Sequence, residues 1–183
     1  MHGDCLCRPF LPSRRAVVAG LACTAALASP SLLAAADTQV RTEDERFMRM
    51  AIEEARRADF PFGAVIVRDG TVLARGRNLG RSTRDPTAHG EMVAIRNVVR
   101  EHGGEALRGT TLYTSGEPCA MCMGAILWCR IARLVFAASV KQLATRIDQI
   151  GLSSAQVAAT APFAPISITG GVLADEAMAL FKK

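Results

Sequence analysis

A single three-layer α/β/α domain built on a five-stranded mixed sheet is the fold class this sequence predicts. Three observations predict it. Runs that read as helices alternate with runs that read as strands after an initial hairpin. Five short β-rich stretches are bounded by turn or helix signals. Setting aside an N-terminal segment of targeting type leaves 147 residues, enough chain for one ordinary domain with its own core.

The elements follow in order. Thr42-x-x-Glu45 has capping-box spacing, and Phe47, Met50, Ala51, Ala55 and Ala58 recur at helical intervals. A helix is therefore expected from about 43 to 58. Pro61 ends it, and Phe62 to Val67 is a β-rich apolar run. Asp69-Gly70 is a hairpin turn, returning Thr71 to Arg77 as the second strand. A polar loop with Gly80, Ser82 and Pro86 leads to a helix from near Ala88. Met92, Val93, Ala94, Ile95, Val98 and Val99 make that helix apolar on nearly every side, which predicts that it is sandwiched, and Gly103-Gly104 stops it. Thr110 to Thr114 is the third strand. Pro118 then opens a short helix carrying two cysteines, since proline suits the first helical turn. Leu134 to Ala138 and Ile166 to Thr169 are the fourth and fifth strands, and Ala174 to Phe181 is a closing helix. Between them, Lys141 to Ile150 reads as helix or loop and 151–163 as irregular.

Residues 1–36 read as a cleavable leader. Arg14-Arg15 precede an apolar stretch from Ala16 to Ala28, and Ala34-Ala35-Ala36 supplies a small-x-small site. Adjacent arginines there suggest the twin-arginine route, hence a periplasmic location. Cys23, Thr24 and Pro30 interrupt the run, against a membrane span of about 20 apolar residues. A cytoplasmic protein with an over-long start is the competing reading. Residues 37–183 carry 19 Lys+Arg against 16 Asp+Glu, a net of +3, with no lysine-rich face or arm. Such a balance gives no nucleic-acid footprint. Arg75, Arg77, Arg81 and Arg84 cluster, and read as a solvated loop, with steering of a phosphate as the other reading. Only Cys119, Cys122 and Cys129 remain past the leader, an odd number that argues against a disulfide scaffold.

The chemistry lies in His89-Gly90-Glu91 and Pro118-Cys119-Ala120-Met121-Cys122. One imidazole and two thiolates make a three-ligand zinc set that leaves a tetrahedral position for water. Cys119 and Cys122, three apart at a helix start, face the same side, where the helix terminus favours thiolates. Zinc lowers the pKa of its water toward about 7. Glu91, outside the metal shell, can take the water proton, protonate a ring nitrogen and release ammonia. H-x-E paired with P-C-x-x-C is the mark of zinc nucleobase deaminases. A closed structural zinc site would need a fourth ligand. His102 stands about 20 Å along the same helix from His89 and is expected at the surface. A redox pair at Cys119-x-x-Cys122 would leave His89 and Glu91 unexplained, and Cys129 reads as a small buried apolar residue.

With its flanks, Asp85 to Arg96 and Leu112 to Cys119, this pattern resembles the cytidine deaminase-like superfamily, nearest the branch of bacterial guanine deaminases and tRNA adenosine deaminases. The resemblance covers roughly residues 42 to 183 and implies a five-stranded mixed sheet flanked by helices, one zinc ion and a homodimer. It also implies substrate contacts at Phe62, Ala64, Asn78 and Glu117, although Phe62 also reads as core, Asn78 as a turn former and Glu117 as a cap of the helix after it. Asp148 is the candidate for reading the purine edge, with a surface aspartate as the other reading. Gly90, where alanine is usual in the family, and Gly116 are expected to widen the pocket. Trp128 is expected beneath the site or at a subunit contact. The ending Ile168 to Glu176 looks more like the tRNA deaminases. The function implied is zinc-dependent hydrolytic deamination of a purine base or related amino-heterocycle, guanine first. Adenosine deamination in tRNA is the alternative enzyme reading, and a non-catalytic zinc module the alternative of another class.

Overall fold

A computed structural model describes residues 40–181. The expected leader, with its twin arginines and cleavage site, lies outside the described residues. Five strands form one mixed sheet in the order β2-β1-β3-β4-β5. β1 (Gly63–Arg68), β2 (Thr71–Arg77) and β3 (Thr111–Gly116) pair antiparallel, while β4 (Arg133–Ala138) and β5 (Ser167–Gly170) continue from β3 in parallel. The β1–β2 turn is the expected Asp69-Gly70, both with positive φ (47° and 74°), the backbone that lets a two-residue hairpin match the strand twist.

Helices cover both faces, as the alternating pattern predicted. α1 (Asp44–Arg56) and α7 (Ala174–Met178) pack on one side. There Phe47, Met48, Ile52, Val65, Tyr113, Val135 and Ala177 share a buried cluster. The helices α3 (Gly90–His102), α4 (Ala120–Trp128) and α6 (Ser154–Ala159) cover the other side. Ile66, Ile95, Val98, Met123, Ile126 and Leu134 fill the second core there, with Val157 of α6 against it. Two short helices complete the chain, α2 (Gly80–Thr83) and α5 (Val140–Leu143), along with a 3₁₀ turn over Gly104–Leu107.

Four expectations are corrected. Thr42-x-x-Glu45 forms no capping box: the α1 N-cap has no side-chain hydrogen bond. Asp44 is instead drawn into the core, where Oδ2 accepts the Arg41 N–H (2.7 Å) and the carboxylate pairs with buried Arg133 (2.7 and 2.8 Å) and the Tyr113 hydroxyl (3.0 Å). Burial would raise Asp44, but hydrogen bonds from Arg133 and Arg41, the Arg133 charge and Tyr113 hold it below its ordinary 3.8. Helix α3 is not sandwiched. It lies in an outer layer, so Val99 on its far side is 46% exposed. Residues 151–163 are not irregular throughout, because α6 starts there behind a Ser153/Gln156 capping box. Lastly, Arg75 and Arg77 belong to β2 rather than a loop, and face buried Glu54 at 3.9 and 3.6 Å.

Candidate active site

The site forms where the carboxyl end of β3 meets the N-termini of α3 and α4. His89 is the N-cap of α3 and Cys119 the N-cap of α4, both with extended backbone. Cys122 lies one turn into α4. Two helix N-termini therefore converge as expected, and their partial positive charge favours thiolates. Close packing puts α3 there. A Cβ on Gly76 would stand 2.2 Å from the Gly90 carbonyl oxygen, and one on Gly90 would stand 3.0 Å from that of Phe62. The first turn of α3 thus rests directly on the backbone of β1 and β2.

His89 Nδ1 lies 3.7 Å from Cys119 Sγ and 3.6 Å from Cys122 Sγ. Bond lengths of about 2.3 Å to sulfur and 2.05 Å to nitrogen put tetrahedral N and S donors about 3.6 Å apart, so the donor set fits zinc. Among the described residues these three are the one group of His, Cys, Asp or Glu within such reach. No fourth protein ligand among the described residues closes the set. Cys119 is already poised as a thiolate and Cys122 is not. The hydrogen bond from Cys122 is the main influence lowering Cys119 to about 4, with help from His89. Cys122, which supplies that proton, is pushed up by the same bond and by burial. His89 is raised, first by its bond to Cys119. A cation binding here displaces those protons. Cys119 and Cys122 are free thiols rather than a disulfide.

Glu91 follows one residue into α3, 4% exposed and outside the donor set. Burial, reinforced by the Cys119 charge, raises its carboxyl, which moves a carboxylate toward the range where it can both take and give protons. His102 is exposed at the far end of α3. Cys129 is half-buried against the α3/α4 core, and burial raises its thiol.

Beside the donors opens a cavity of about 670 Å³ lined by Phe60, Phe62, Asn78, His89, Cys119 and residues 147–150, the size of a small-molecule site. Three expected contacts, Phe62, Asn78 and Asp148, thus come together around it. Asn78 is also the turn former of the other reading: Oδ1 accepts the Gly80 N–H (3.1 Å). That bond leaves the Asn78 NH₂ group to act as the donor. Phe62 is both lining and packing, with Phe181 edge-on at 5.3 Å and Phe60 at 5.7 Å.

Other expectations fall away. Ala64, expected near the metal through its backbone, lies fully buried inside β1 among core residues and does not line the cavity. Glu117 caps not the helix after it but two later ones: Oε2 accepts the Val140 N–H (2.8 Å) and Oε1 that of Ser154 (2.7 Å). Neither glycine widens the pocket. The space at Gly116 is taken by Phe62, whose ring would lie 2.6 Å from a Cβ there, and the space at Gly90 by the β1 backbone. Trp128 is not beneath the site. It is 74% exposed and stacks on Phe163 at 5.0 Å. Phe60, Ile147, Gln149 and Ile150 on the wall were missed, for they carry no periodic signal. Ser139-x-x-Gln142 and Ser153-x-x-Gln156 are capping boxes that bracket this wall, and their spacing was legible.

Comparison with known proteins agrees with this geometry. Residues 41–138, more than half of the chain, match the cytidine and deoxycytidylate deaminase zinc-binding region. Over 107 residues the chain is 47% identical to the tRNA-specific adenosine deaminase of Haemophilus influenzae, covering 55% of this chain and 62% of that protein. Over 78 residues it is 50% identical to the guanine deaminase of Bacillus subtilis, covering 43% and 50%. A structure of guanine deaminase from Nitrosomonas europaea superposes with a TM-score of 0.68 at 28% identity, covering 78% of this chain and 85% of that one. The matches span less than two thirds of those two curated relatives.

Proposed function

The chain belongs to the zinc-binding cytidine and deoxycytidylate deaminase family, and from that premise we propose that it hydrolytically deaminates a free purine base, guanine first. One observation carries the reading: a cavity of about 670 Å³ sets an aromatic face, an amide donor and a carboxylate acceptor beside the metal donors His89 and Cys119. Phe62 stacks on the heterocycle. Asn78 donates to a ring or exocyclic acceptor, and Asp148 accepts from the N–H edge opposite. The zinc supplies Lewis-acid activation of water when bound. Glu91 takes one proton of the attacking water on its buried carboxylate and passes it to the ring nitrogen next to the reacting carbon. It then takes the second from the new hydroxyl and delivers it to the amine as the C–N bond breaks, releasing ammonia. The burial that raises Glu91 makes its carboxylate a better proton acceptor than an exposed one.

Adenosine deamination in tRNA is the second reading. The relatives favour it as strongly, since tRNA-specific adenosine deaminases match at 47% identity, and the segment Ile168 to Glu176 resembles theirs. The net charge of +3 past residue 36 speaks for the free base. We further propose export through Arg14-Arg15 and the apolar run after them, and a homodimer seated on the exposed Val99, Met121 and Trp128 of α3 and α4.

The test is ammonia release by the zinc-loaded chain from guanine, adenine, cytosine, their nucleosides, amino-triazines and an anticodon stem-loop. Turnover of guanine above the rest is expected. Turnover of the stem-loop alone would replace the free base with tRNA.

A further inference from the structure

We propose that Glu117 is a positioning residue, clasping the 147–150 wall of the cavity to the β3–α4 junction that carries Cys119 rather than touching substrate. The kinetic part of the proposal rests on the deaminase reading above. The clasp itself rests on hydrogen bonds.

Glu117 directly precedes Pro118-Cys119 and is 8% exposed. Its backbone N–H is fixed to the Ala138 carbonyl at 2.7 Å, tying it to the end of β4. Each carboxylate oxygen accepts a backbone N–H from a different helix start: Val140, the first residue of α5, and Ser154, the first of α6. These two points are the ends of one loop. Between them lie Ile147, Asp148, Gln149 and Ile150, four of the nine residues that line the cavity. Leu143 and Ile147 pack on the core, but the tip beyond them is open, with Asp148 exposed and Ile150 and Leu152 at 56% and 45% exposure. Charge-assisted bonds are about twice as strong as neutral ones. A single buried carboxylate thus closes both ends of the wall.

Glu117 is badly placed to bind a heterocycle. It does not line the large cavity but a neighbouring annex of about 20 Å³, shared with Phe62, His89, Glu91, Cys119 and Gln149. That space holds about one water. Both carboxylate oxygens are engaged by the N–H groups of Val140 and Ser154, so the loss of Glu117 should loosen the wall while Glu91 still carries the proton transfers.

The N–H donors can be removed one at a time with Glu117 intact. Ser154 and Val140 are first helical residues, where proline is tolerated. Their predecessors Ser153 and Ser139 already have extended ψ of 155° and 159°, as a following proline requires. The Ser154 hydroxyl is buried with no hydrogen-bond partner, so replacing it breaks no further bond.

The experiment compares the full zinc-loaded chain with Glu117→Gln and Ser154→Pro, by zinc content, amide hydrogen exchange and guanine kinetics. Both variants should keep their zinc and exchange about tenfold faster across 141–153, with β3 and β4 unchanged. KM should rise about tenfold while kcat moves less than about threefold. Unchanged exchange in both variants overturns the clasp. So does zinc loss in Glu117→Gln, or a kcat defect at constant KM, which would assign Glu117 to the reacting atoms. A silent Ser154→Pro beside an impaired Glu117→Gln overturns it too. If the parent protein deaminates no free base, the deaminase reading fails, while the exchange measurement still decides the clasp.

Discussion

The two sides of the cavity are built differently. On one side, His89, Glu91, Cys119 and Cys122 project from the first turns of helices of 13 and nine residues seated on the sheet, with Glu91 and Cys122 buried. On the other, residues 147–150 hang between helices of four and six residues, and Asp148 and Ile150 face solvent. The first side has the rigidity that metal chemistry demands, since ligands and proton carrier must be held within about half an ångström. The second has the adjustability of a binding wall. Damage to the first should appear in zinc content or kcat, and damage to the second in KM.

The largest expected effect is at the donors. Cys122→Ser removes a buried thiolate, and zinc measured after dialysis should fall well below one per chain, with activity down more than about 1,000-fold. A variant that keeps its zinc and its rate would erase the distinction between the two sides. Glu91→Gln should keep the metal and lose about 10²–10⁴ in kcat. Full turnover by it would move the proton carrier elsewhere.

Stability provides a third test, beneath the rigid side. Asp44→Asn leaves Arg133 buried against a neutral amide, and chemical denaturation should show a loss of about 3–5 kcal/mol. The sign with pH follows from the lowered pKa of Asp44. The carboxylate contributes its full stability above its unfolded value of 3.8 and loses it as pH falls through the lower folded value. The parent chain should therefore weaken steeply below about pH 4, and the variant should show a flatter acid limb. Equal acid limbs would remove Asp44 from the account.

Smaller effects belong to the wall. Gly116→Ala places a methyl 2.6 Å from the Phe62 ring and 3.1 Å from Leu143, which costs about 1–3 kcal/mol of overpacking and should push the ring into the cavity. KM for a bicyclic base should rise more than KM for a monocyclic one. Asp148→Asn, at an exposed position, should raise guanine KM about tenfold with kcat nearly unchanged. A kcat defect there would blur the division between the sides.

The same division explains what the sequence disclosed. The donor side was legible because its chemistry is local: His89 and Glu91 share a helix start, as do Cys119 and Cys122, and each pair carries its spacing in the chain. The sheet was legible from Asp69-Gly70 and the β-rich runs, and its five strands fall within two residues of the expected bounds. The wall was not. Its residues are polar or isolated apolars without periodicity, and Glu117 binds N–H groups 23 and 37 residues away, a pairing that no local pattern encodes. Thr42-x-x-Glu45 misled for a related reason. Its neighbour Asp44 is claimed by Arg133, 89 residues distant, and tertiary contact overrode the local motif. The glycines misled in the opposite direction. A missing side chain at Gly116 reads as open space, but Phe62 fills it.

X-ray absorption at the zinc edge of the metal-loaded chain reads the first claim directly. The account predicts two sulfur scatterers at about 2.3 Å, one imidazole nitrogen and one further light scatterer at about 2.0 Å, the last exchangeable with added inhibitor anions. Four protein-derived donors, or a third sulfur, would contradict it.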